Sequence, residues 1–248
     1  MRAIHTMADA FETAAIVSPR QRLHEDVVDP FRASPNGQRD GNTASISLAA
    51  VKADAELQAL IRSANQNLGA LGYTEHGFRH VGLVATIARN VLRSIGFDAR
   101  QQELAAISGH LHDIGNVVNR HGHARTGALL AHSILQRFGA NPDDTALVMG
   151  AIGSHEDDGP VGDAVHAVSA ALILADTADV HRSRVRNPDP ASFDRHDRVS
   201  FAATSSKLFV APESEYDHPR SRNRHRAGSC NALLRGILTP HAYVTPRC

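Results

Sequence analysis

The feature that most constrains the fold is a long apolar run near the middle of the chain. It reads AVHAVSAALILADTADVHRSRV and covers residues 164–185. A helix that is apolar on all sides is buried on all sides, so this run predicts the central helix of a helical bundle. Asp176 lies inside the run, and a carboxylate is expensive to bury unless it is paired or coordinated. The run therefore also predicts a cation close to Asp176.

Five further stretches have apolar residues at helical spacing, with recognisable start and stop signals. They cover residues 47–69, 74–96, 98–115, 123–139 and 141–155. Ser47 is predicted as an N-cap, and Asp98 and Gln101 form a capping-box pattern. Asn141 is a further predicted N-cap and precedes a proline that is suited to the first helical position. The sequence thus predicts an all-α fold, a bundle of about six helices over residues 47–187.

The two flanks of this region lack helical periodicity. Residues 1–46 are polar and interrupted by Pro and Gly, which predicts a flexible leader. Residues 188–248 predict an irregular segment that is partly β, because residues 197–210 suit a short hairpin. From residue 218 the chain is rich in Arg and lacks acidic residues. Two interpretations of this tail stay open, a nucleic-acid-binding segment and an end without a selected function.

Composition excludes several classes of protein. Lys plus Arg equals Asp plus Glu at 26 each, so no overall basic field points to nucleic acid. The two cysteines, Cys230 and Cys248, lie far from the central helices, which excludes a disulfide framework or a Cys-based zinc site there. The first residues do not have the pattern of a secretory signal, so we expect none, and no apolar run of roughly 18 residues is present, which predicts a protein without a membrane span. We expect a cytoplasmic protein.

The chain has 16 histidines, and the pair His112-Asp113 is the most informative. Adjacent helical residues point about 100° apart, so both can reach one ion only near a helix end. Imidazole beside carboxylate suits Mn, Fe, Co or Zn, although a buried His-Asp pair without metal is an alternative. His76 competes with His80 for a place in such a site, and His121 competes with His123.

The order of these residues resembles that in the HD-domain superfamily of metal-dependent phosphohydrolases, in the variant with two additional histidines. The resemblance runs from about Tyr73 to Arg186 through HLHDIGN, SHEDDG and ADTADVHRSRVR. It implies two divalent ions per chain, chosen from Mn, Fe, Zn, Co and Mg. The implied ligands of the first ion are His80, His112, Asp113 and Asp176. Those of the second are His123, His155 and the bridging Asp113.

The resemblance implies hydrolysis of a phosphate ester by a metal-bound hydroxide, with His112 and Asp113 in the catalytic centre. The substrate would be a small phosphorylated metabolite or a nucleotide, as a monoester or a diester. The sequence has no GxSxG motif and no Gly-rich phosphate loop, which agrees with a reaction that needs no protein nucleophile. Arg182 and Arg186 are candidate contacts to the substrate phosphate, because guanidinium groups match phosphate geometry.

Two departures from the family pattern limit this interpretation. Asn116 stands where many relatives have Lys, and the GYP signature of the cyclic-dinucleotide branch is missing. A general HD phosphatase or phosphodiesterase is therefore favoured. A catalytically silent HD-type binding or regulatory module is one alternative, and a di-iron oxygenase with the same ligands is another. Glu75 and Glu156 are either partners that orient an imidazole or solvated acids.

Overall fold

A computed structural model describes residues 46–156, 162–211 and 241–247, and most of these residues are helical. The α-helices, α1 to α8 in chain order, are Leu48–Ala53, Ala55–Ala70, Phe78–Ser94, Ala99–Leu111, His123–Arg137, Pro142–Gly153, Ala167–Thr177 and Arg195–Ala202. Short 3₁₀ turns lie at Ile114–Val117, Arg182–Arg184 and Pro190–Ser192. The strands are β1, Ser205–Ala211, and β2, His241–Arg247. The predicted all-α class is confirmed.

Helix α7 is the central helix, as the apolar run predicts. Every residue from 167 to 175 is buried, and the helix packs against α3, α4 and α6. A cap at its start uses His166, whose Nδ1 accepts a hydrogen bond from the backbone N–H of Ser169 at 3.1 Å. His166 is therefore the N-cap of α7 and not a member of the His-Asp cluster described below.

Helix α4 is buried to a similar degree over residues 104–111, which its polar sequence does not suggest. Gly109 explains how it packs so closely on α3. A Cβ at this position would lie 2.8 Å from backbone atoms of Ala85, closer than real side chains come. The missing side chain lets the backbones of α3 and α4 approach each other, and this brings their histidines together.

Two helix boundaries differ from the sequence prediction. The stretch predicted as one helix over 47–69 is two helices, because Asp54 has an extended backbone and its side chain caps α2 through the N–H of Leu57. The capping Ser47 is confirmed at the start of α1. Helix α4 ends at Leu111, one turn before the predicted stop at Gly115, so that His112 and Asp113 lie where the helix gives way to a 3₁₀ turn.

Gly115 lets this turn touch the start of α5. A Cβ on Gly115 would lie 2.0 Å from the carbonyl oxygen of His123 and 2.6 Å from the backbone nitrogen of Gly127. No larger residue fits without moving one of the two backbones. The close approach places His112 and Asp113 beside the first residue of α5, which is His123.

The segment after residue 188 is more regular than predicted. Residues 195–202 form helix α8 where a hairpin is predicted over 197–210, and Asp194 caps this helix through the N–H of Asp197. The hairpin prediction is wrong there because the cap starts a helix. Its second half is a strand, β1, which pairs antiparallel with the distant β2. Apart from residue 46, the predicted leader lies outside the described residues, as does the Arg-rich tail from 218 to 240.

The longest helix of the described segments, α3, has 17 residues. None of the helices in the described segments combines the length and the apolar character needed to cross a membrane.

Candidate metal centre

Five helices bring one cluster of imidazoles and carboxylates together. His80 lies in the first turn of α3, His112 and Asp113 follow α4, and Asp176 lies in the last turn of α7. The Nε2 atom of His80 lies 3.2 Å from the Nε2 of His112, 3.4 Å from Oδ2 of Asp113 and 3.2 Å from Oδ1 of Asp176. The Nε2 of His112 lies 3.3 Å from Oδ2 of Asp113. We call these four residues the first half-site.

The second half-site shares Asp113 and adds His123, at the start of α5, and His155, just after α6. The Nε2 of His123 lies 3.4 Å from Oδ1 of Asp113 and 3.2 Å from the Nε2 of His155. Asp113 thus directs Oδ2 to the first half-site and Oδ1 to the second. This is the arrangement that a bridging carboxylate requires.

The donor atoms of these residues could hold metal ions. Three overlapping groups have all their donor atoms within 4.8 Å of one another: His80, His112 and Asp113; His112, His155 and Asp176; and Asp113, His123 and His155. Within the described residues, Oδ2 of Asp113 is buried and accepts no hydrogen bond. Imidazole nitrogen atoms that face such an oxygen suit a divalent cation of intermediate hardness, such as Mn, Fe, Co or Zn.

Backbone carbonyl groups fix the orientation of three of the four imidazoles, and the carboxylate of Asp179 fixes that of the fourth, His80. The Nδ1 of His112 lies 3.0 Å from the carbonyl oxygen of Gly109, and that of His155 lies 2.6 Å from the carbonyl oxygen of Ile152. The Nδ1 of His123 lies 3.1 Å from the carbonyl oxygen of Arg120. Because a carbonyl oxygen can only accept, each Nδ1 donates its proton. In the neutral ring, the Nε2 lone pair then faces the cluster, as a metal ligand requires.

Asp179 orients His80, and sequence reasoning missed it as a functional residue. Its Oδ2 accepts a hydrogen bond from the Nδ1 of His80 at 2.7 Å, and its carboxylate also accepts from Arg79 at 2.8 and 3.1 Å. The side chain is buried. A signal was available, because Asp179 follows Asp176 at the end of the apolar run and both acids need compensation.

Asn116, at the position of the missing Lys, holds the shared carboxylate. Its Nδ2 donates to Oδ1 of Asp113 at 2.9 Å and to the backbone carbonyl of Asp113 at 3.0 Å. The side chain is buried. Asn116 therefore positions Asp113, which the sequence pattern alone did not indicate.

The carboxylates of the cluster strongly favour positive charge beside them. Burial and Arg184 oppose charging of His80, yet the nearby carboxylates of Asp113, Asp176 and Asp179 raise its pKa to about 9. Asp113 and Asp176 likewise raise the pKa of His112 well above its usual value, although burial opposes this. In return, and also against burial, His112 and His80 hold the pKa of both carboxylates well below the usual value. Divalent cations bound in the cluster would compensate the same negative charge.

The competing histidines lie around or away from the cluster. His76 packs edge-on against His80 with ring centroids 5.1 Å apart, and its Nδ1 donates to the carbonyl oxygen of Thr74. Burial lowers the pKa of His76 to about 3, so this ring is neutral. His121 and His132 are exposed. His181 caps a 3₁₀ turn through the N–H of Ser183.

The two candidate phosphate contacts point to other partners in this structure. The guanidinium of Arg182 lies over the ring of Phe201, 5.4 Å from its centroid. Arg186 donates to the backbone carbonyl of Asn65 at 3.0 Å and to its side chain.

The two acids singled out from sequence also have defined contacts. Glu75 accepts from the backbone N–H of Gly77 at 2.6 Å and from Arg79 at 3.1 Å. Glu156 is the one that reaches the second half-site, with Oε2 3.2 Å from the Nε2 of His123.

Of the comparisons with known proteins, the match to a family model agrees with the residues quoted for the resemblance. A family model described as HD domain matches residues 77–186. A solved structure described as a predicted HD superfamily hydrolase, from an uncultured Thermotogales bacterium, is 25% identical to this chain. That match covers 51% of this chain and 67% of the other, with a TM-score of 0.39. No curated protein matches the chain. The resemblance to the HD-domain superfamily, whose members are mostly metal-dependent hydrolases, is thus confirmed for residues 77–186, which match the HD-domain model.

Proposed function

We propose that this protein hydrolyses a phosphate ester of a small metabolite or nucleotide with the help of two divalent ions. The observation that carries the proposal is the position of Asp113, whose Oδ2 lies 3.4 and 3.3 Å from the Nε2 atoms of His80 and His112 and whose Oδ1 lies 3.4 Å from that of His123. A carboxylate so placed suits two cations side by side. Either a monoester or a diester agrees with this arrangement.

The residues divide into two sets of ligands. His80, His112, Asp113 and Asp176 would hold the first ion, and Asp113, His123 and His155 the second. His112 and Asp113 belong to the catalytic centre because they lie where the two half-sites meet. When bound, divalent ions supply Lewis acidity, which makes water nucleophilic near neutral pH and offsets the charge of a phosphate.

The protein contributes fixed orientation and a defined opening. The hydrogen bonds at Nδ1 hold the imidazoles in place before the substrate arrives, so little reorganisation is needed during the reaction. The imidazoles of the cluster are buried, whereas the side chains of Asp176 and Glu156 are 33% and 39% exposed. These two acids mark the side from which an ester can approach.

Three further parts of the proposal rest on the sequence. Arg182 and Arg186 stay candidate phosphate contacts, and each would have to leave its present partner to reach an ester. A cytoplasmic location agrees with the absence of cysteines from residues 1–229. A nucleic-acid partner would have to bind through the Arg-rich tail.

The metal content of the purified chain tests the proposal. Protein prepared without chelators or a His-rich tag is analysed by mass spectrometry, beside Asp113→Ala and the control Asp163→Ala, an exposed acid outside the cluster. We expect about two ions of Mn, Fe or Zn per chain in the wild type and the control, and a large loss in Asp113→Ala. The metal-loaded protein should then hydrolyse aryl phosphate monoesters or diesters.

Three outcomes would contradict the hydrolase. Bound metal without turnover in a broad ester screen would favour the silent binding module. Iron-dependent oxygen consumption would favour the oxygenase. Failure to bind added metal would remove the metal-dependent proposal as a whole.

A further inference from the structure

Arg120 lies directly at the second half-site. Its Nη1 lies 2.8 Å from Nδ1 and 3.1 Å from Nε2 of His123. Because the hydrogen-bonding directions of the two ring nitrogens diverge, an amino nitrogen this close to both lies over the face of the ring and not along the Nε2 lone pair. The Nε2 atom itself lies 3.4 Å from Oδ1 of Asp113. A cation bound there would have the guanidinium of Arg120 as a close neighbour.

Two side chains hold the guanidinium in this position. Glu156 accepts two hydrogen bonds from it, from Nη1 at 2.9 Å and from Nη2 at 2.7 Å. The ring of Tyr73 lies 5.5 Å below its Cζ. The side chain of Arg120 is 24% exposed, so solvent and small anions can reach the pair.

The other arginines near the cluster are engaged further from the reacting centre. Arg79 contacts Asp179, and Arg184 donates to the backbone carbonyls of Glu75 and Asp179. Arg120 contacts an imidazole of the second half-site itself. A cation beside His123 would repel the guanidinium, whereas a phosphate at the opening would attract it.

We propose that Arg120 binds the phosphoryl oxygens of the substrate, while Glu156 and Tyr73 are positioning residues that hold its guanidinium at the opening. This inference rests on the proposed function, because it needs a phosphate ester as substrate. The planar guanidinium group of Arg120, which donates through two nitrogens to the carboxylate of Glu156, matches the geometry of two phosphoryl oxygens equally well. Substrate binding is then an exchange of one anionic partner for another.

Calorimetric titration of inorganic phosphate into manganese-loaded protein tests the inference. Arg120→Ala should weaken phosphate binding at least ~10-fold. Arg120→Lys should retain only part of the phosphate affinity, because an ammonium group cannot donate through two nitrogens in one plane. Metal content should not fall in either variant. Arg93→Ala is the control, since this exposed arginine lies 13 residues after His80 on α3, about 20 Å along the helix, and should bind phosphate like the wild type.

A second variant changes the affinity in the opposite direction. Glu156→Gln removes the competing carboxylate charge, so phosphate binding should become several-fold tighter if Arg120 is the phosphate ligand. Because the loss of a nearby negative charge alone also favours an anion, the gain should disappear when Glu156→Gln is combined with Arg120→Ala. Glu156→Gln alone keeps Arg120 in place and is isosteric, so it remains informative if Arg120→Ala folds poorly.

The outcomes separate this inference from the proposed function. Phosphate affinity that is unchanged in Arg120→Ala but lost in Arg182→Ala or Arg186→Ala would overturn the role of Arg120 and leave the hydrolase intact. A metal-loaded wild type that neither binds phosphate nor hydrolyses any ester would overturn both.

Discussion

Asp179 shows how a residue outside the ligand set can control the cluster. It holds His80 through Nδ1 at 2.7 Å and is itself fixed by Arg79 and Arg184. A buried carboxylate behind a ligating imidazole fixes the ring and makes its free nitrogen more basic. The affinity of the first half-site for metal should therefore depend on the charge of Asp179.

Asp179→Asn should weaken metal binding about 10- to 100-fold, because the amide keeps the shape but loses the charge. Competition between the protein and a chelating dye measures this affinity. Asp163→Asn, at an exposed acid, should leave it unchanged. Equal affinities in Asp179→Asn and the wild type would show that Asp179 only packs against His80.

Asn116 acts in the same way on the shared carboxylate. Asn116→Ala removes the hydrogen bond to Oδ1 of Asp113 and should lower metal affinity, also by about 10-fold or more. Asn119, a neighbour at the surface whose side chain accepts from the N–H of His121, provides the control Asn119→Ala. A loss of stability without a loss of metal affinity would contradict the positioning role.

At the scale of helices, the cluster is assembled from helix ends. Helix α4 stops at Leu111, so the chain turns and adjacent residues can face one centre, while α5 starts with His123 and α6 ends just before His155. The contact between the 3₁₀ turn after α4 and the start of α5 depends on Gly115. This contact joins the two half-sites.

Gly115→Ala should destabilise the protein by about 3 kcal/mol or more, because the new methyl group would meet backbone atoms at 2.0 and 2.6 Å. Denaturant unfolding measures the free energy of unfolding, and metal affinity should fall with it. Gly82→Ala on α3 is the matched control, since its Cβ would meet nothing within 4 Å. Helix propensity makes that control neutral or more stable by up to about 1 kcal/mol. Similar effects in both variants would contradict the close-packing argument.

At the scale of the whole molecule, protons would compete with bound metal ions for the same cluster. In the metal-free fold, burial opposes charging of His80, but three nearby carboxylates raise its pKa from 6.5 to about 9. A raised pKa means that the protonated ring stabilises this fold fully below pH 6.5. The contribution is lost as the pH rises through about 9.

Metal binding should therefore release protons, and metal affinity should rise between pH 6.5 and 9. Mass action gives about a tenfold gain per pH unit for each proton displaced. Manganese titrations across this range, in buffers with different ionisation enthalpies, measure both quantities. His121→Ala, which removes an exposed imidazole, should keep the same dependence. A flat profile in the wild type would show that His80 does not exchange a proton for metal.

Much of the fold followed from local sequence patterns. The caps at Ser47, Asp98 and Asn141 are found where the sequence places them, since a cap involves residues only a few positions apart. The central burial of α7 was predictable from its uniform apolar character. The break at Asp54 and the helix at 195–202 were missed, because a single capping acid changed the local outcome in each case.

The sequence by itself determined which residue types could form the cluster. Asp176 was identified by the energetic cost of burying it, and the resemblance supplied the remaining candidates. Only the tertiary structure decided which residues hold the cluster in place. Asp179 contacts His80 across 99 positions of the sequence, and Arg120 contacts Glu156 across 36. Such contacts leave no periodic signal in the chain. They exist only once α3, α5, α6 and α7 are packed, with Gly109 and Gly115 allowing the backbones to approach.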